Sequence, residues 1–448
     1  MSKKSVISRV ICAVAAIAVS TTALCAVFTG CTKEEEVNRL SFLTAHEGKV
    51  VNEEGQQVSL RGVNAGGLCV IEPWMNGFAN SWSEGSDIYC HDHKTVTLEF
   101  IERFGEEQTK KLWDEYQKNW WSEQDFKNCA EMGMNVIRLP FTYMNVDFGA
   151  VVDYDRAGDY DFTYLDWFVK TAEKYGLYTI LDLHGAYGSQ NGRDHSGEDL
   201  PVGGIDFYSN ERMMNLTADL WRATAEHFAD NPAVAGYDLL NEPGEKRNDS
   251  NSVYSTEKRH WDALDKFYKA VREVDTEHIT IFESCWEASN LPQPKQYGWQ
   301  NIMYSFHHYS GQSTAAAHNP TMDNKLKTIT AANFGVPIFM GEFTCYEDPQ
   351  SWEYTLGKMN EYGWHWTSWT YKLNSSYRSP WGILNIVTKG DDKVNAHTDD
   401  YDTIIEKFRN LKTTADTEKS TVGETTVWDI FKKYTLSAQS EENRKDAN

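Results

Sequence analysis

Eight short runs of hydrophobic, β-branched and aromatic residues recur along the chain, and most of them end in polar residues. The runs are VSLRGVN (58–64), NVIRLPF (135–141), YTILDLHG (178–185), AVAGYDLLNEP (233–243), HITIFES (278–284), NIMYSFHHY (301–309), VPIFMGEF (336–343) and GWHWTSWTY (363–371). Runs of this length and composition are typical of buried β-strands. The pattern therefore predicts eight strands.

Segments with the 3.6-residue spacing of amphipathic helices lie between most of these strands. Examples are TYLDWFVKTAEKYG (163–176) and RHWDALDKFYKAVREV (259–274). Continuous apolar strands that alternate with helices indicate a parallel sheet covered by helices, and eight such units predict an α/β fold, the (β/α)8 TIM barrel. A doubly wound open sheet is the alternative, but no glycine-rich nucleotide loop follows the first strand. We expect one catalytic domain over residues 45–435 and a loose tail over 436–448.

The amino-terminal thirty residues have the character of a targeting segment rather than of a fold. Basic residues, including Lys3 and Arg9, precede an apolar stretch from Val10 to Phe28. The sequence FTGC (28–31) resembles a bacterial lipoprotein signal, which implies cleavage before Cys31 and lipidation of its thiol. An uncleaved transmembrane anchor is the alternative, because about 19 apolar residues nearly span a bilayer. Either interpretation predicts a domain outside the cytoplasm, as a cell-surface lipoprotein or a secreted protein, after a charged tether at 31–44.

Charge bears on the possible partners. The formal net charge is −23, and it becomes −26 once the three basic residues of the leader are removed. Nucleic-acid binding rests on basic groups that displace counterions, so a surface this acidic argues against nucleic acid as a partner. The sequence predicts a monomer.

Cysteine and histidine motifs give no sign of a metal or cofactor. The five cysteines after Cys31 are odd in number and lack CxxC spacing, which argues against a disulfide framework or a zinc site and favours buried thiols. His91 and His93 in CHDH (90–93) have no further ligands at a recognisable spacing. GSQNG (188–192) lacks the Lys and Ser/Thr of a phosphate loop. We therefore predict neither a metal nor a cofactor.

Polar residues stand at the carboxyl ends of the predicted strands, which is where a (β/α)8 barrel builds its active site. Each of them alone has an ordinary structural explanation, such as a core salt bridge or simple packing. Together they would converge on one pocket. They are Arg138, His184, Asn241, Glu242, His307, Tyr309, Glu342 and Trp369.

Glu242 and Glu342 are the carboxylates of this set, and two facing carboxylates are what cleavage of a glycosidic bond requires. One donates a proton to the leaving oxygen and the other, ionised, attacks the anomeric carbon. Arg138 would hold Glu342 ionised, because an adjacent positive charge lowers a carboxyl pKa. We expect Asn241 to bind the sugar 2-hydroxyl and Tyr309 to orient the nucleophile.

The blocks LLNEP, MGEF, VIRLPF, HHY and SWTYK resemble the signature motifs of glycoside hydrolase family 5, and they run from about residue 58 to 385. The resemblance implies a retaining glycosidase on a (β/α)8 barrel, with Glu242 as acid/base and Glu342 as nucleophile. It also implies that Arg138, His184, Asn241, His307, Tyr309 and Trp369 line the site.

Three stretches are similar to the exo-acting glucan 1,3-β-glucosidases of that family, namely 60–75, 120–141 and 181–197. By this resemblance Glu72 and Asp194 would bind the terminal glucose, and the substrate would be a β-glucan or its oligosaccharides. Leu68 stands where the related enzymes have Trp, and 369–385 is more similar to bacterial endoglucanases. An endo-β-1,4-glucanase is therefore the alternative, followed by a glycolipid glucosidase and a non-catalytic surface sugar-binding protein.

Overall fold

A computed structural model describes residues 40–79, 91–201, 204, 206–248, 251–254, 258–375, 379–388 and 392–445. The predicted leader, Cys31 and the tether up to residue 39 lie outside the described residues. In the described part, no helix combines the length and the apolar character that a membrane span needs.

Eight parallel strands form a closed barrel, as the hydrophobic runs predict. In chain order the first twelve strands are β1 (Thr44–His46), β2 (Lys49–Val51), β3 (Arg61–Asn64), β4 (Val136–Thr142), β5 (Tyr178–Gly185), β6 (Val234–Asp238), β7 (Gly244–Asn248), β8 (Asn251–Tyr254), β9 (Ile279–Glu283), β10 (Ile302–His308), β11 (Ile338–Phe343) and β12 (His365–Ser368). The barrel order is β3-β4-β5-β6-β9-β10-β11-β12, and β12 pairs with β3 to close it. The predicted TIM barrel is confirmed.

Helices connect the strands. The α-helices of the described part are Pro73–Asn76, His93–Phe104, Glu106–Trp120, Glu123–Glu131, Tyr143–Val146, Gly149–Val152, Thr163–Lys174, Glu211–Phe228, Lys258–Arg272, Ala315–Ala332, Pro349–Glu361, Tyr401–Arg409 and Val427–Lys445. The two helices predicted from periodicity lie within two residues of their expected bounds. The last helix continues into the segment 436–448, for which the sequence predicts a loose tail.

The amino-terminal end of the barrel is sealed by an apolar layer. Leu43, just before β1, and Val50 of β2 pack against the first residues of barrel strands such as Val136 and Ile279. Burial of these side chains removes apolar surface from water and closes this end. The polar strand ends therefore open at the opposite end of the barrel.

Additional strands lie beside that opposite end. The antiparallel pair β7–β8 comes after β6, and a small sheet made of β13 (Lys372–Ser375), β14 (Leu384–Val387) and β15 (Glu418–Lys419) comes after β12. The pair β16 (Thr421–Val422) and β17 (Thr425–Thr426) precedes the last helix. Four cysteines of the domain are buried free thiols, as predicted: Cys69, Cys129, Cys285 and Cys345.

Candidate active site

Arg138 lies on β4 inside the barrel and is fully buried. Its guanidinium contacts Glu342, Asn64, Asn241, Asp182 and Asp238 at 2.9 to 3.0 Å. Burial disfavours its charge, but the facing carboxylates outweigh burial and raise the pKa of Arg138. A buried charge is tolerated when it is paired and hydrogen bonded in this way. Arg138 is thus a fixed cation beneath the site.

Glu342 lies on β11, directly after a shift in the register between β10 and β11, and receives two hydrogen bonds. Arg138 donates to its Oε1 at 2.9 Å, and the hydroxyl of Tyr309 donates to its Oε2 at 2.7 Å. Burial raises the pKa of Glu342, but His307 and Arg138 outweigh it and hold the pKa below its ordinary value. The side chain is therefore an ionised carboxylate held from two sides, which is the state a nucleophile needs.

Glu242 lies beyond the end of β6 and has a left-handed backbone with φ of +41°. A non-glycine residue in this region costs about 1–3 kcal/mol and persists where its surroundings enforce it. The side-chain amide of Gln190 donates to the carbonyl of Asn241 at 2.8 Å, and that of Asn191 donates to the carbonyl of Glu242 at 3.2 Å. The GSQNG segment therefore holds the backbone of Asn241 and Glu242 in place through hydrogen bonds.

The Glu242 carboxyl lies between two histidines. His307 Nδ1 is 2.9 Å from Oε1, and His195 Nε2 is 3.2 Å from Oε2. Burial raises the pKa of Glu242, but hydrogen bonds from His195 and His307 outweigh it and hold the pKa well below its ordinary value. The protonation state of Glu242 thus depends on its hydrogen bonds with two imidazole rings.

A cavity of about 170 Å³ lies between the two carboxyls. Its lining residues are Glu72, Trp74, His184, His195, Asn241, Glu242, Tyr309, Glu342, Trp369 and Trp381. Of the residues predicted from sequence, Arg138 lies beneath the lining and His307 stands behind the two carboxyls. Asp194 is not part of the lining, and its neighbour His195 is.

Glu72 accepts a hydrogen bond from the indole of Trp74 at 2.8 Å. Burial and the negative charge of Asp194 raise the pKa of Glu72 to about 8. Its carboxyl is therefore protonated at neutral pH and offers the cavity both a donor and an acceptor.

Aromatic rings form the walls of the cavity. The Trp369 ring stacks on His184 with centroids 5.4 Å apart, and the Tyr309 ring stacks on Trp381, also at 5.4 Å. Flat apolar faces of this kind pack well against the C–H face of a sugar ring. Trp381 lies between β13 and β14 and was not among the residues predicted from sequence.

Three buried acids near Arg138 were also not predicted from sequence. Asp182 lies 2.7 Å from His184 Nδ1, Asp238 pairs with Arg138, and Glu283 lies 3.1 Å from His307 Nε2. Burial raises the pKa of Asp182 and of Asp238 to about 7, against the lowering effect of Arg138. Sequence spacing could have identified Asp182, because it is two residues before His184 on the same strand and side chains two residues apart share a face.

The described residues include a cluster with metal-ligand atoms. Glu242, Glu283, Cys285 and His307 each place one such atom within 4.8 Å of the others. Burial raises the pKa of the Cys285 thiol, and a thiol must lose its proton to bind a metal. Both ring nitrogens of His307 already face carboxyl groups. These contacts fit an acid–imidazole network rather than a metal site.

The barrel and its facing carboxyls define a glycosyl hydrolase. The model of the cellulase family, described as glycosyl hydrolase family 5, matches residues 100–375. The chain belongs to this family, and the resemblance inferred from its motifs is confirmed.

Curated relatives carry names of glycosidases. A glucan 1,3-beta-glucosidase of Blumeria graminis is 33% identical over 196 residues, which cover 43% of each chain. A beta-xylosidase of Phanerodontia chrysosporium is 27% identical over 288 residues, covering 64% of this chain and 56% of the relative. The chain thus spans about half the length of these two relatives.

Solved structures share the fold. A rutinosidase from Aspergillus niger aligns with a TM-score of 0.57 and 16% identity, over 78% of this chain and 98% of the rutinosidase. A beta-glucanase from Saccharophagus degradans aligns with a TM-score of 0.51 and 17% identity, over 89% of this chain and 94% of the beta-glucanase.

Proposed function

We propose that this protein is a retaining glycosidase that removes glucose from the ends of β-glucans or their oligosaccharides. One observation supports the retaining mechanism within this proposal: His307 Nδ1 lies 2.9 Å from an oxygen of Glu242 and 3.5 Å from an oxygen of Glu342. These two oxygens are therefore no more than about 6.4 Å apart. Retaining glycosidases place their carboxyl groups about 5–5.5 Å apart, and inverting ones leave about 6.5–9.5 Å for a water molecule.

The reaction follows from the surroundings of each carboxyl. Glu342 attacks the anomeric carbon while Glu242 protonates the departing oxygen, whose bonding electrons leave with the aglycone. Water then attacks the glycosyl-enzyme, gives a proton back to Glu242 and releases Glu342 as a carboxylate. The Asn241 amide is held between Arg138 and His184 and lines the cavity, which supports its proposed role in binding the sugar 2-hydroxyl.

The size of the cavity supports action at chain ends. Drug-sized ligands occupy about 300–1,000 Å³, so a cavity of about 170 Å³ suits a single sugar ring. Glu72 and Trp74 line it and would bind the terminal glucose. A second cavity of about 490 Å³ shares Tyr309 with the first and is also lined by Trp286, which gives room for the departing part of the substrate.

Names of relatives add to this proposal. The Blumeria graminis relative is a glucan 1,3-beta-glucosidase, as are relatives from Schwanniomyces occidentalis and Saccharomyces cerevisiae. We infer a preference for β-1,3 linkages from them.

Product analysis tests the proposal. The purified domain, residues 32–448, is incubated with laminarin, barley mixed-linkage glucan and carboxymethyl cellulose, beside the Glu342→Gln variant. We expect glucose alone at early times from laminarin and no product from the variant. A ladder of oligosaccharides from the 1,4-linked substrates indicates an endo-β-1,4-glucanase. If no glucan is hydrolysed, the next hypothesis to test is a glycolipid glucosidase, followed by a non-catalytic sugar-binding protein.

We also propose that Cys31 is lipidated and anchors the protein outside the cytoplasm, on the basis of FTGC (28–31). Palmitate labelling of cells that express the full chain and its Cys31→Ser variant tests this. We expect label on the parent alone. Membrane retention of an unlabelled parent supports a transmembrane anchor instead.

A further inference from the structure

Asn191 has a side-chain orientation that its hydrogen bonds fix. Its Oδ1 accepts from the backbone N–H of Arg193 at 2.9 Å and from the hydroxyl of Ser196 at 2.7 Å. A backbone N–H can only donate, so the oxygen of the amide must lie on that side. The Asn191 nitrogen therefore points the other way, toward the carbonyl of Glu242 and the ring of His195.

This orientation favours His195 Nε2 as an acceptor, with its single lone pair facing both the Asn191 amide and Glu242. Asn191 Nδ2 lies 3.0 Å from Nε2, and an N–H group there needs a lone pair to face it. His195 Nε2 also lies 3.2 Å from Glu242 Oε2. When Nε2 has no hydrogen, the hydrogen in that contact belongs to the carboxyl, and Glu242 is in its acid form.

Electrostatics favour the hydrogen on His195 rather than on Glu242. Burial disfavours the charged ring of His195, but Glu242, Asp194 and Glu72 outweigh burial and raise the pKa of His195 to about 9. The groups facing the Glu242–His195 pair are His307, Glu342, Glu283, Asp182, His184, Asp194 and Glu72. Two groups this close titrate as a pair rather than singly.

We propose that His195 and Glu242 hold one proton between them, and that Asn191 directs this proton onto Glu242 for delivery to the leaving group. The inference rests on the proposed glycosidase function and names a positioning residue for its acid step. The proton moves from the pair to the glycosidic oxygen as the C–O bond breaks. In the second step, water returns one proton to the pair and adds its hydroxide to the anomeric carbon, so the balance closes after each turnover.

His195→Gln tests the proposal, because glutamine can hydrogen bond to Glu242 but cannot store a proton. kcat/KM is measured against pH with laminaribiose and with 2,4-dinitrophenyl β-glucoside, whose leaving group departs without protonation. With laminaribiose we expect a loss of about 100-fold at neutral pH and an alkaline limb at least about one pH unit lower. With the dinitrophenyl substrate we expect a change below about threefold.

A matched control is His227→Gln, which breaks an exposed histidine–carboxylate contact with Asp166 at 2.7 Å. It should leave both profiles unchanged. Equal losses of the His195 variant on both substrates, or an unmoved alkaline limb, overturn the proposal. If wild type hydrolyses neither substrate, the proposed glycosidase function itself is wrong, which separates the two failures.

A second measurement does not depend on the folding or activity of the His195 variant. The ¹⁵N chemical shifts of the His195 ring are followed against pH in wild type and in Glu242→Gln. We expect the titration midpoint of His195 to fall by more than one pH unit when Glu242 loses its charge. A midpoint that stays in place contradicts a shared proton.

Discussion

Glu342 and Glu242 are the same residue type on two sides of one cavity, and their surroundings differ in kind. Glu342 lies on a barrel strand and is held by Arg138, which never loses its proton, and by Tyr309. Glu242 sits on a left-handed backbone between His195 and His307. A permanent charge suits a group that must stay ionised, and exchangeable protons suit a group that must give and regain one. In the proposed mechanism, the neighbours of each carboxyl rather than its residue type set the two roles.

Removal of the proposed nucleophile should have the largest effect. In Glu342→Gln the side chain keeps its shape but loses the charge that attacks the anomeric carbon. We expect kcat/KM to fall by about 10⁴-fold or more on every glucoside, including activated ones. Steady-state kinetics with 2,4-dinitrophenyl β-glucoside measures this, and a loss confined to poor leaving groups would mean that the two roles are reversed.

Removal of the proposed acid should affect substrates differently according to their leaving groups. In Glu242→Gln we expect losses of about 10²–10⁴-fold on laminaribiose, the usual range for general acid catalysis, and much smaller losses in the first step with the dinitrophenyl substrate. Azide, which needs no base, should restore turnover and yield a β-glucosyl azide. Uniform losses without rescue by azide would contradict the acid/base role.

Replacement of the fixed cation should affect stability as well as rate. Arg138→Met leaves the buried carboxyls Asp182 and Asp238 without their positive partner, which costs about 3–5 kcal/mol in free energy of unfolding. The control Arg156→Met removes an exposed pair with Glu106 and should change the free energy by about 0–1 kcal/mol. Urea denaturation of both variants compares them, and equal effects would refute the buried role.

A smaller effect is expected at Glu72. Its pKa is raised to about 8, so the carboxyl is protonated at neutral pH and gains a negative charge as pH rises through 8. We expect KM for laminaribiose to increase by about threefold between pH 7 and 9 in wild type. In Glu72→Gln, which is never charged, KM should stay level over this range, and a parallel rise in the variant would show that another group is responsible.

The fold could be predicted from the sequence because each barrel strand lies in a largely apolar run. All eight runs became barrel strands, and the residues at their ends came together as expected for parallel strands. Periodicity does not reveal the small sheet beyond β12, where the segment between β13 and β14 carries Trp381 to the cavity.

The site was harder to predict from the sequence where its residues come from loops or act in pairs. His195 is next to Asp194 in a segment without strand or long-helix periodicity, and only three-dimensional structure shows that it is His195 that faces Glu242. Asp182, Asp238 and Glu283 look like isolated charges in apolar strands, because their common partner Arg138 is far away in sequence. Charges that satisfy one another across a barrel leave no local pattern.

The stereochemistry of the first product tests the central claim most directly. Laminari-oligosaccharides are mixed with enzyme in deuterated buffer, and ¹H NMR monitors the anomeric proton of released glucose before mutarotation. The proposed double displacement at Glu242 and Glu342 predicts that β-glucose appears first and that α-glucose forms only at the rate of mutarotation. Initial release of α-glucose would contradict the account, because it would require a water molecule where Glu342 is placed to attack.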